Sequence, residues 1–336
     1  MMKEVYIRVD GNNAIGYGHL FRCIALAEML KEQFKVIFII KDSNDFAISQ
    51  INKTTGKIIQ LGKVDLNEES TFLSNFFLKK NVILVLDGYQ YTFEYQLTIK
   101  KSGVKIVYID DLHSIHMCAD IVLNQAFGVL KEKYSFEPYT RFCLGTEWII
   151  QRPSFTKASI QNREIYNVKS AFITIGGGPI FNIANKILLA LDNLSEIKRI
   201  VFLKGNEDVF EQDVKPFLND KIEVFEKLND QELCDILMKC DIAVCPSSVI
   251  SLEACSVGIG LFAGYTVDNQ IDTYSGIVEN NLAFGLGDLR TASIPNIEAS
   301  IKRKLDIVII NAQIKNQKRI FDGKSKSKFI DLFKSL

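Results

Sequence analysis

A glycine-rich segment near the N-terminus carries the clearest chemical signal in the sequence. After Asp10 the chain reads Gly16-x-Gly18-His19-x-x-Arg22, the pattern of a strand end that passes through a loop into a helix. Glycine lets the backbone approach a ligand closely, and a helix start offers unpaired N–H groups and a partial positive charge. The third glycine of a dinucleotide fingerprint and the Gly-Lys-Ser/Thr of a P-loop are both missing. The segment predicts a ligand-binding turn, and the alternative is a tight turn capped by a histidine.

His19 is one of only three histidines in the chain, and the pattern places it in the first turn of a helix. The helix dipole disfavours a positive charge at that end, so we expect a neutral ring that can accept a proton. His19 is therefore the candidate general base.

Two segments of the second half resemble phosphate-binding turns. They contain three glycines after a predicted strand and two serines before a predicted helix, namely Gly176, Gly177, Gly178, Ser247 and Ser248. Backbone N–H groups at such turns bind anions. Glu253 follows one helical turn later, where its carboxylate could accept both hydroxyls of a ribose. The alternative for Glu253 is a first-turn acid that complements the helix dipole.

One segment gathers several side chains of metal-ligating types, namely Asp110, Asp111, His113, His116 and Cys118. These types suit zinc or manganese. However, Asp110 and Asp111 project to opposite sides of an extended chain, and no second cluster supplies ligands at a recognisable spacing. We therefore expect strand-end capping or substrate contact here, and no metal or other cofactor.

The elements that must position these residues follow a βαβ pattern, in which short apolar runs alternate with amphipathic stretches. The first half predicts a helix at residues 19–33 and strands at residues 4–9, 35–40, 82–86 and 105–109. Asp87 directly follows the third of these strands, at the sheet edge where open α/β folds bind ligands. The second half predicts strands at residues 168–175, 199–203, 222–225, 241–245 and 260–262, with helices at 182–191, 230–239 and 252–257.

The fold class predicted from this pattern is α/β, with two doubly wound, Rossmann-like domains that face each other across a cleft. The predicted domains are residues 1–150 and 165–336, a division that suits a length of 336 residues. The Lys-rich end from 315 to 334 is interpreted as solvated helix surface.

Composition excludes several classes of protein. The 40 basic residues balance the 40 acidic ones, which argues against a nucleic-acid binder. With 47% hydrophobic and 24% charged residues, the chain is expected to be folded rather than disordered. We expect a cytoplasmic protein without a membrane span, because no signal-peptide pattern or sufficiently long apolar run is present. Seven cysteines without a C-x-x-C pair predict reduced core thiols.

An ordered series of motifs resembles the UDP-linked diacetamido-trideoxy-altrose hydrolases of pseudaminic acid biosynthesis and their relatives in surface-polysaccharide pathways. The series contains Arg8-x-Asp10, Ile15-Gly16-x-Gly18-His19-x-x-Arg22-Cys23, Asp87-Gly88-Tyr89, Ile109-Asp110-Asp111 with His116, Asn124-Gln125, Gly176-Gly177, Ser247-Ser248 with Glu253, and Asn269-Gln270 before Gly285. It extends from residue 8 to about residue 288, and the G-x-G-H-x-x-R-C segment is its most specific part.

This resemblance implies the two-domain fold of the glycosyltransferase class known as GT-B. It implies that His19 is the catalytic base and that Tyr89 and Asn269 contact the sugar. The N-terminal domain would complete the sugar pocket with further residues, namely Asp10, Gly16, Gly18, Arg22 and Asp87. The C-terminal domain would bind UDP through the glycine and serine turns and Glu253.

The implied reaction is hydrolysis of a UDP-linked diacetamido-trideoxy sugar at the anomeric carbon. His19 would take a proton from a water molecule, and the water oxygen would displace UDP with inversion of configuration. Fixed backbone donors, rather than a metal, would stabilise the diphosphate. Two alternatives remain open, an inverting GT-B glycosyltransferase with an acceptor hydroxyl in place of water, and a non-catalytic subunit that binds a sugar nucleotide. The sequence predicts no oligomeric state.

Overall fold

The computed structural model describes residues 2–176, 181–205, 220–226 and 228–336. The chain forms two compact units, one of Met1–Pro153 together with Lys324–Leu336 and one of Ser154–Gly323. Each unit is built on its own parallel sheet.

The first unit contains a seven-stranded sheet in the order β3-β2-β1-β4-β5-β7-β9 and a two-stranded sheet of β6 and β8. In chain order the strands are β1 Glu4–Arg8, β2 Lys35–Ile40, β3 Ile58–Gln60, β4 Ile83–Asp87, β5 Lys105–Ile109, β6 His116–Met117, β7 Ile121–Asn124, β8 Ser135–Phe136 and β9 Arg141–Leu144. All of their pairings are parallel. The central strand β4 is buried along its whole length, which explains its apolar run Ile83–Leu86.

The second unit contains a six-stranded parallel sheet in the order β12-β11-β10-β13-β14-β15. Its strands are β10 Ser170–Thr174, β11 Arg199–Leu203, β12 Ile222–Phe225, β13 Ile242–Pro246, β14 Gly260–Tyr265 and β15 Phe284–Asp288. In both sheets the strand order reverses once, between β1 and β4 and between β10 and β13. A reversal of this kind opens a crevice at the carboxyl ends of the two strands.

Helices connect these strands. In the described part of the chain they are α1 Gly18–Leu30, α2 Asp45–Thr54, α3 Leu66–Phe77, α4 Phe93–Lys100, α5 Pro153–Ser159, α6 Phe181–Asp192, α7 Asp230–Lys239, α8 Val249–Val257, α9 Ile271–Glu279, α10 Ile294–Lys302, α11 Ile307–Ile320 and α12 Ser325–Lys334. Capping boxes begin two of them, with Asp65 before α3 and Asn229 before α7. No helix in this part of the chain is long and apolar enough to cross a membrane.

The sheet of the first unit is covered on both faces. Val5 and Ile7 of β1 pack with α1 in one core, whereas Tyr6 packs on the opposite face with Phe77 of α3. Alternate residues of one strand thus enter two different cores, as a doubly wound sheet requires. The predicted fold class, α/β with two doubly wound Rossmann-like domains, is confirmed.

The predicted domain boundary at 165–336 needs correction at both ends. Residues from Ser154 onward already belong to the second unit, and Lys324–Leu336 return to the first. Phe329 and Phe333 of α12 are fully buried in the core that contains α1. The Lys-rich end is therefore divided between two helices, because residues 315–320 end α11 in the second unit and Ser325–Lys334 form α12. Helix α12 is amphipathic and completes the first unit, with its apolar stripe buried.

The individual elements agree well with the sequence predictions. The bounds of β2, β5, β11, β12 and α7 match the predicted ranges. Helix α1 ends at Leu30 rather than at residue 33, and α8 begins at Val249 rather than at residue 252. The seven cysteines are buried free thiols, as predicted.

Candidate active site

The candidate catalytic residues lie where the strand order of the first sheet reverses. Asp10 and the loop into α1 follow β1, and Asp87 ends the neighbouring strand β4. The next strand, β5, is followed by Asp110 and Asp111. The topology therefore brings three chain segments that are distant in sequence to one edge of the sheet.

The loop before α1 is fixed by its own hydrogen bonds. The Asn12 side chain accepts two backbone N–H groups of the turn at 2.8 and 2.9 Å and donates to the Asp42 carbonyl at 2.6 Å. Gly16 donates its N–H to the Asn12 carbonyl and has φ +83°, a conformation that favours glycine. A Cβ atom at Gly16 or Gly18 would meet nothing within 4 Å. The loop is thus an ordered turn with open space beside both glycines.

His19 occupies the first turn of α1 and pairs with the carboxylate of Asp87. Its Nδ1 lies 2.7 Å from Asp87 Oδ1, and 15% of the His19 side chain is exposed. The half-exposed ring of Tyr89 meets the imidazole edge to face, with ring centroids 4.7 Å apart. The structure thus brings together the predicted residues His19, Asp87 and Tyr89.

Arg22 joins the same group one helical turn after His19. Its Nε donates to Asp87 Oδ2 at 2.9 Å and its Nη2 to Asp87 Oδ1 at 2.7 Å. On the other edge, Nη1 donates to Asp111 Oδ1 at 2.8 Å and Nη2 to Asp111 Oδ2 at 3.0 Å. Four of the five N–H donors of the guanidinium are therefore used by two carboxylates.

These contacts determine which nitrogen of His19 carries the proton. Nη2 of Arg22 lies 3.1 Å from His19 Nδ1, but both of its hydrogens are already directed to Asp87 and Asp111. Nδ1 must therefore carry its own hydrogen and donate it to Asp87. In the neutral ring, Nε2 is then left as a proton acceptor.

Burial and charge act in opposite directions on this pair. Burial lowers the pKa of His19, but the charge of Asp87 and the hydrogen bond to it raise the pKa above the ordinary value of 6.5. Burial raises the pKa of Asp87, yet the positive charges of Arg22 and His19 hold it well below its usual range. The Asp87 carboxylate, 2.7 Å from Nδ1, thus acts on the pKa of His19 in the opposite direction to the helix dipole, which disfavours the charged ring.

The Asp10 carboxylate accepts hydrogen bonds from other groups of the protein. Its Oδ2 accepts from Arg8 at 2.6 Å, while Oδ1 accepts the backbone N–H groups of Lys41 and Asp42 at 2.7 and 2.9 Å and the hydroxyl of Ser43 at 3.3 Å. The carboxylate therefore ties the end of β1 to the loop after β2. The structure gives Asp10 a role in shaping this loop.

A buried tyrosine that the sequence analysis missed supports Tyr89. Tyr108 on β5 donates its hydroxyl to the carbonyl of Gly88 at 2.9 Å. Burial raises the pKa of Tyr108 well above its usual range, with additional contributions from Asp110 and Asp87, so the hydroxyl stays protonated. The only signal in the sequence was an aromatic residue inside an apolar strand, which is the ordinary composition of a core.

The segment after β5 sends its polar side chains in different directions. Asp110 accepts the backbone N–H of His113 at 2.8 Å, and Asp111 pairs with Arg22. His116 contacts Ser135 at 2.6 Å and Glu137 at 3.2 Å. Among the described residues, no three His, Cys, Asp or Glu side chains are grouped in a way that could hold a metal ion.

In the second unit, three of the residues predicted to bind the nucleotide lie where the strand order reverses. Gly176 is exposed, has φ +88° and follows β10, while Ser247 and Ser248 follow the neighbouring strand β13. Ser247 is 1% exposed, and its hydroxyl has no hydrogen-bond partner among the described residues. Gly177 and Gly178 lie outside the described residues.

Helix α8 begins directly at this turn. Ser248 occupies its N-cap position without a side-chain capping bond, and Glu253 is buried within the helix, with 4% exposure. Asn269 lies in the exposed 3₁₀ turn Asp268–Gln270 that follows β14, the strand next to β13. The predicted residues of the second unit thus follow three neighbouring strands.

Comparison with known proteins places this chain among proteins of similar architecture. No family model matches the sequence. The spore coat polysaccharide biosynthesis protein SpsG of Bacillus subtilis is 24% identical over 295 residues, which are 84% of each chain. The UDP-2,4-diacetamido-2,4,6-trideoxy-β-L-altropyranose hydrolase of Campylobacter jejuni is 24% identical over 275 residues, 80% of this chain and 94% of that protein.

Solved structures resemble the chain over nearly its full length. MurG of Acinetobacter baumannii matches 99% of this chain and 100% of its own, with a TM-score of 0.70 at 13% identity. MnaA of S. aureus, in a co-structure with UDP, matches 99% of this chain and 96% of its own, with a TM-score of 0.65 at 14% identity. The chain therefore has the GT-B fold, and in sequence it resembles the hydrolase family that acts on UDP-linked diacetamido-trideoxy-altropyranose.

Proposed function

We propose that the protein hydrolyses a UDP-linked diacetamido-trideoxy sugar at the anomeric carbon and releases UDP and the free sugar. The observation that carries this proposal is the His19–Asp87 pair, a proton acceptor fixed at the point where the strand order of a Rossmann-like sheet reverses. The name of the C. jejuni relative supports hydrolysis of this class of substrate. The name of the B. subtilis relative supports a place in surface-polysaccharide biosynthesis.

In the proposed mechanism, Nε2 of His19 takes a proton from a water molecule. The water oxygen forms a bond to the anomeric carbon on the face opposite the diphosphate, and the bond from that carbon to the diphosphate oxygen breaks. The electron pair leaves with UDP, and the configuration of the sugar inverts. Asp87 holds Nδ1–H and stabilises the imidazolium that forms, as a carboxylate does in other histidine-dependent hydrolases.

The first unit is proposed to bind the sugar at Tyr89 and along the open backbone of Gly16 and Gly18. Asn269, a residue of the second unit, is also proposed as a sugar contact. Tyr89 presents a half-exposed aromatic ring beside His19, which suits the apolar face of a deoxy sugar. The second unit is proposed to bind UDP.

Two features support UDP binding by the second unit. Gly176 and Ser248 follow neighbouring strands, at positions where backbone N–H groups can bind phosphate. The hydroxyl of Ser247, which has no partner in the part of the chain that the structure describes, can also donate to a ligand oxygen. Glu253 is the proposed ribose contact. Because fixed donors stabilise the diphosphate, the reaction is proposed to need no divalent metal.

Reaction of a panel of UDP-linked diacetamido-trideoxy sugars, followed by phosphorus NMR, tests the proposal. We expect UDP release without any acceptor and at the same rate after exhaustive treatment with EDTA. Release only after addition of a sugar or lipid acceptor would replace hydrolysis by glycosyl transfer. Tight binding without release under either condition would identify a binding subunit, and activity lost to EDTA and restored by a divalent metal would refute metal independence.

The proposal includes a cytoplasmic location. The seven cysteines are buried free thiols, and disulfides are rare in this reducing compartment.

A further inference from the structure

Arg22 lies between two carboxylates in a row of alternating charges that ends at His19. The order is Asp111, Arg22, Asp87 and His19, and each neighbouring pair is joined by at least one contact of 2.8 Å or less. The guanidinium is buried between bidentate partners, and Asp87 is fully buried. Asp111 is the outermost member, with 25% of its side chain exposed.

This arrangement leaves Arg22 poorly suited to contact a substrate directly. Four of its five donors are used by the two carboxylates, and its side chain is 7% exposed. A bidentate pair with Asp87 fixes both oxygens of that carboxylate, and therefore fixes the direction of the bond from His19.

We propose that Arg22 and Asp111 form a positioning pair, which orients the Asp87 carboxylate against His19 and balances its charge instead of binding the substrate. The catalytic meaning of this pair rests on the proposed function, because it acts through the proposed base. The pair itself is defined by the contacts among Asp111, Arg22 and Asp87.

The charges of this row predict the direction in which each substitution shifts the pKa of His19. With neutral His19, the charges of Asp111, Arg22 and Asp87 sum to minus one, and protonation brings the row to zero. Loss of the Asp111 charge makes protonation of His19 less favourable, because the same step then runs from zero to plus one. Loss of the Arg22 charge makes protonation more favourable, because the step then runs from minus two to minus one. The two substitutions must therefore shift the pKa of His19 in opposite directions.

The other groups near this row do not change that pattern. Among the described residues they include Cys23 of α1, which donates to Asp87 at 3.3 Å, Tyr89 and Tyr91 after β4, Tyr108 and Asp110 of the β5 end, and Tyr134. Burial raises the pKa of the Cys23 thiol and of the Tyr108 hydroxyl, so both stay neutral. The charge of Asp111 raises the pKa of His19, while that of Arg22 lowers it.

Titration of the His19 ring by NMR, on protein labelled with ¹³C and ¹⁵N histidine and without substrate, tests the pair. The chain has three histidines, so the His19 signals are identified by their loss in His19→Asn. We expect the titration midpoint to fall in Asp111→Asn, to rise in Arg22→Gln and to return toward wild type in Asp111→Glu. We also expect Nδ1 to carry the proton of the neutral wild-type ring.

Shifts in the same direction, or no shift in either variant, would overturn the proposal. Asp111→Asn keeps the size of a partly exposed side chain. The His19 titration in this variant therefore still tests the proposal if Arg22→Gln fails to fold. In that case Arg22→Lys, which keeps the charge but loses the bidentate geometry, should leave the midpoint near wild type and disturb the Nδ1–H signal.

Kinetics then separates this proposal from the proposed function. If both hold, the acid limb of kcat/KM against pH moves with the NMR midpoint in each variant, while KM changes less than about twofold. Opposite NMR shifts in a protein that releases no UDP would refute the hydrolase but support the pair. Normal turnover with unshifted His19 titrations would refute the pair but support the hydrolase.

Discussion

At the scale of single residues, the site depends on the hydrogen bond between His19 Nδ1 and Asp87 Oδ1. This bond selects the tautomer that leaves Nε2 as a proton acceptor, and it raises the pKa of the ring despite its burial. Because a base must be deprotonated to act, the proposed activity should increase with pH, with a midpoint above the ordinary histidine value of 6.5. The hydrogen bond between His19 and Asp87 thus affects both the tautomer of His19 and the pH dependence of the proposed activity.

Replacement of His19 by Asn removes the proton acceptor but keeps a polar side chain. We expect kcat/KM to fall by about 10² to 10⁴-fold, the usual contribution of a general base, while UDP affinity measured by calorimetry stays unchanged. His116→Asn is the matched control, because His116 contacts Ser135 and Glu137 rather than Asp87. Wild-type turnover in His19→Asn would show that another group is the base.

Replacement of Glu253 by Ala tests the proposed ribose contact. We expect UDP affinity to fall by about 1 to 3 kcal/mol, the range for a hydrogen bond to a charged group. Glu253 is buried, so the thermal midpoint of each variant should be measured alongside the calorimetry. Glu253→Gln is the control, since it keeps the size and one acceptor oxygen. Unchanged UDP affinity in a folded Glu253→Ala protein would leave Glu253 as a helix residue only.

At the scale of elements, the loop between β1 and α1 determines where α1 begins, and it therefore determines the position of His19 in the first turn. The Asn12 side chain and the positive φ of Gly16 fix this loop, and α1 starts two residues later at Gly18. In the second unit, α8 likewise begins directly after β13, with Ser248 at its N-cap position. Both sites therefore depend on a short loop at a reversal of strand order.

The two glycines of this loop are predicted to respond differently to Ala. Gly16→Ala should lower the free energy of unfolding by about 1 to 2 kcal/mol, because φ at Gly16 is +83°. Gly18→Ala should leave that free energy within about 1 kcal/mol, because Gly18 has helical geometry and open space. Urea unfolding followed by the fluorescence of Trp148 measures both.

Turnover of the same variants tests whether the substrate lies against Gly18. If it does, the added methyl group should raise KM about tenfold without a loss of stability. An unchanged KM would remove Gly18 from the proposed sugar pocket. Equal stability of the Gly16→Ala and Gly18→Ala variants would contradict the claim that the positive φ at position 16 favours glycine.

The sequence predicted the secondary-structure elements better than the side-chain contacts between different elements. A strand followed by Gly16-x-Gly18-His19 could be recognised locally, and so could Asp87 at a strand end. The contacts of Arg22 with Asp87 and Asp111 could not, because they depend on β1, β4 and β5 being adjacent, and on the direction of side chains 65 and 89 residues away. Asp10 likewise could be predicted as polar and strand-terminal, but its loop partners could not.

At the scale of the whole molecule, each unit is a doubly wound sheet, and the first is completed by the C-terminal helix. The fold class followed from alternating apolar runs, but the return of α12 to the first unit did not. A lysine-rich helix with few apolar residues gives a weak local signal, and only the three-dimensional structure shows that Phe329, Leu332 and Phe333 are buried beside α1. The apolar stripe of α12 indicates that the helix packs on a core, but nothing within the helix identifies which of the two cores it joins.

Truncation of a buried side chain on α12 should therefore destabilise the first unit. Phe333→Ala should lower its free energy of unfolding by about 3 to 5 kcal/mol, because Phe333 is fully buried against Phe34. Trp148 is the only tryptophan, lies in the first unit and packs on Phe329, so its fluorescence reports this unfolding.

The control lies on the same helix. Lys326→Ala removes only a surface ion pair with Glu32 and should cost less than about 1 kcal/mol. Equal stability of the Phe333 and Lys326 variants would contradict the assignment of α12 to the core of the first unit.

The central claim is that water activated by His19 attacks the anomeric carbon of a UDP-sugar. It is tested most directly by reaction in H₂¹⁸O, with the label in the released UDP read from the isotope shift of its phosphorus NMR signals. We predict unlabelled UDP and a free sugar of inverted anomeric configuration, both formed without an acceptor and both lost in His19→Asn. Label in the β-phosphate would show attack at phosphorus and would contradict the account, as would UDP release that persists at the wild-type rate in His19→Asn.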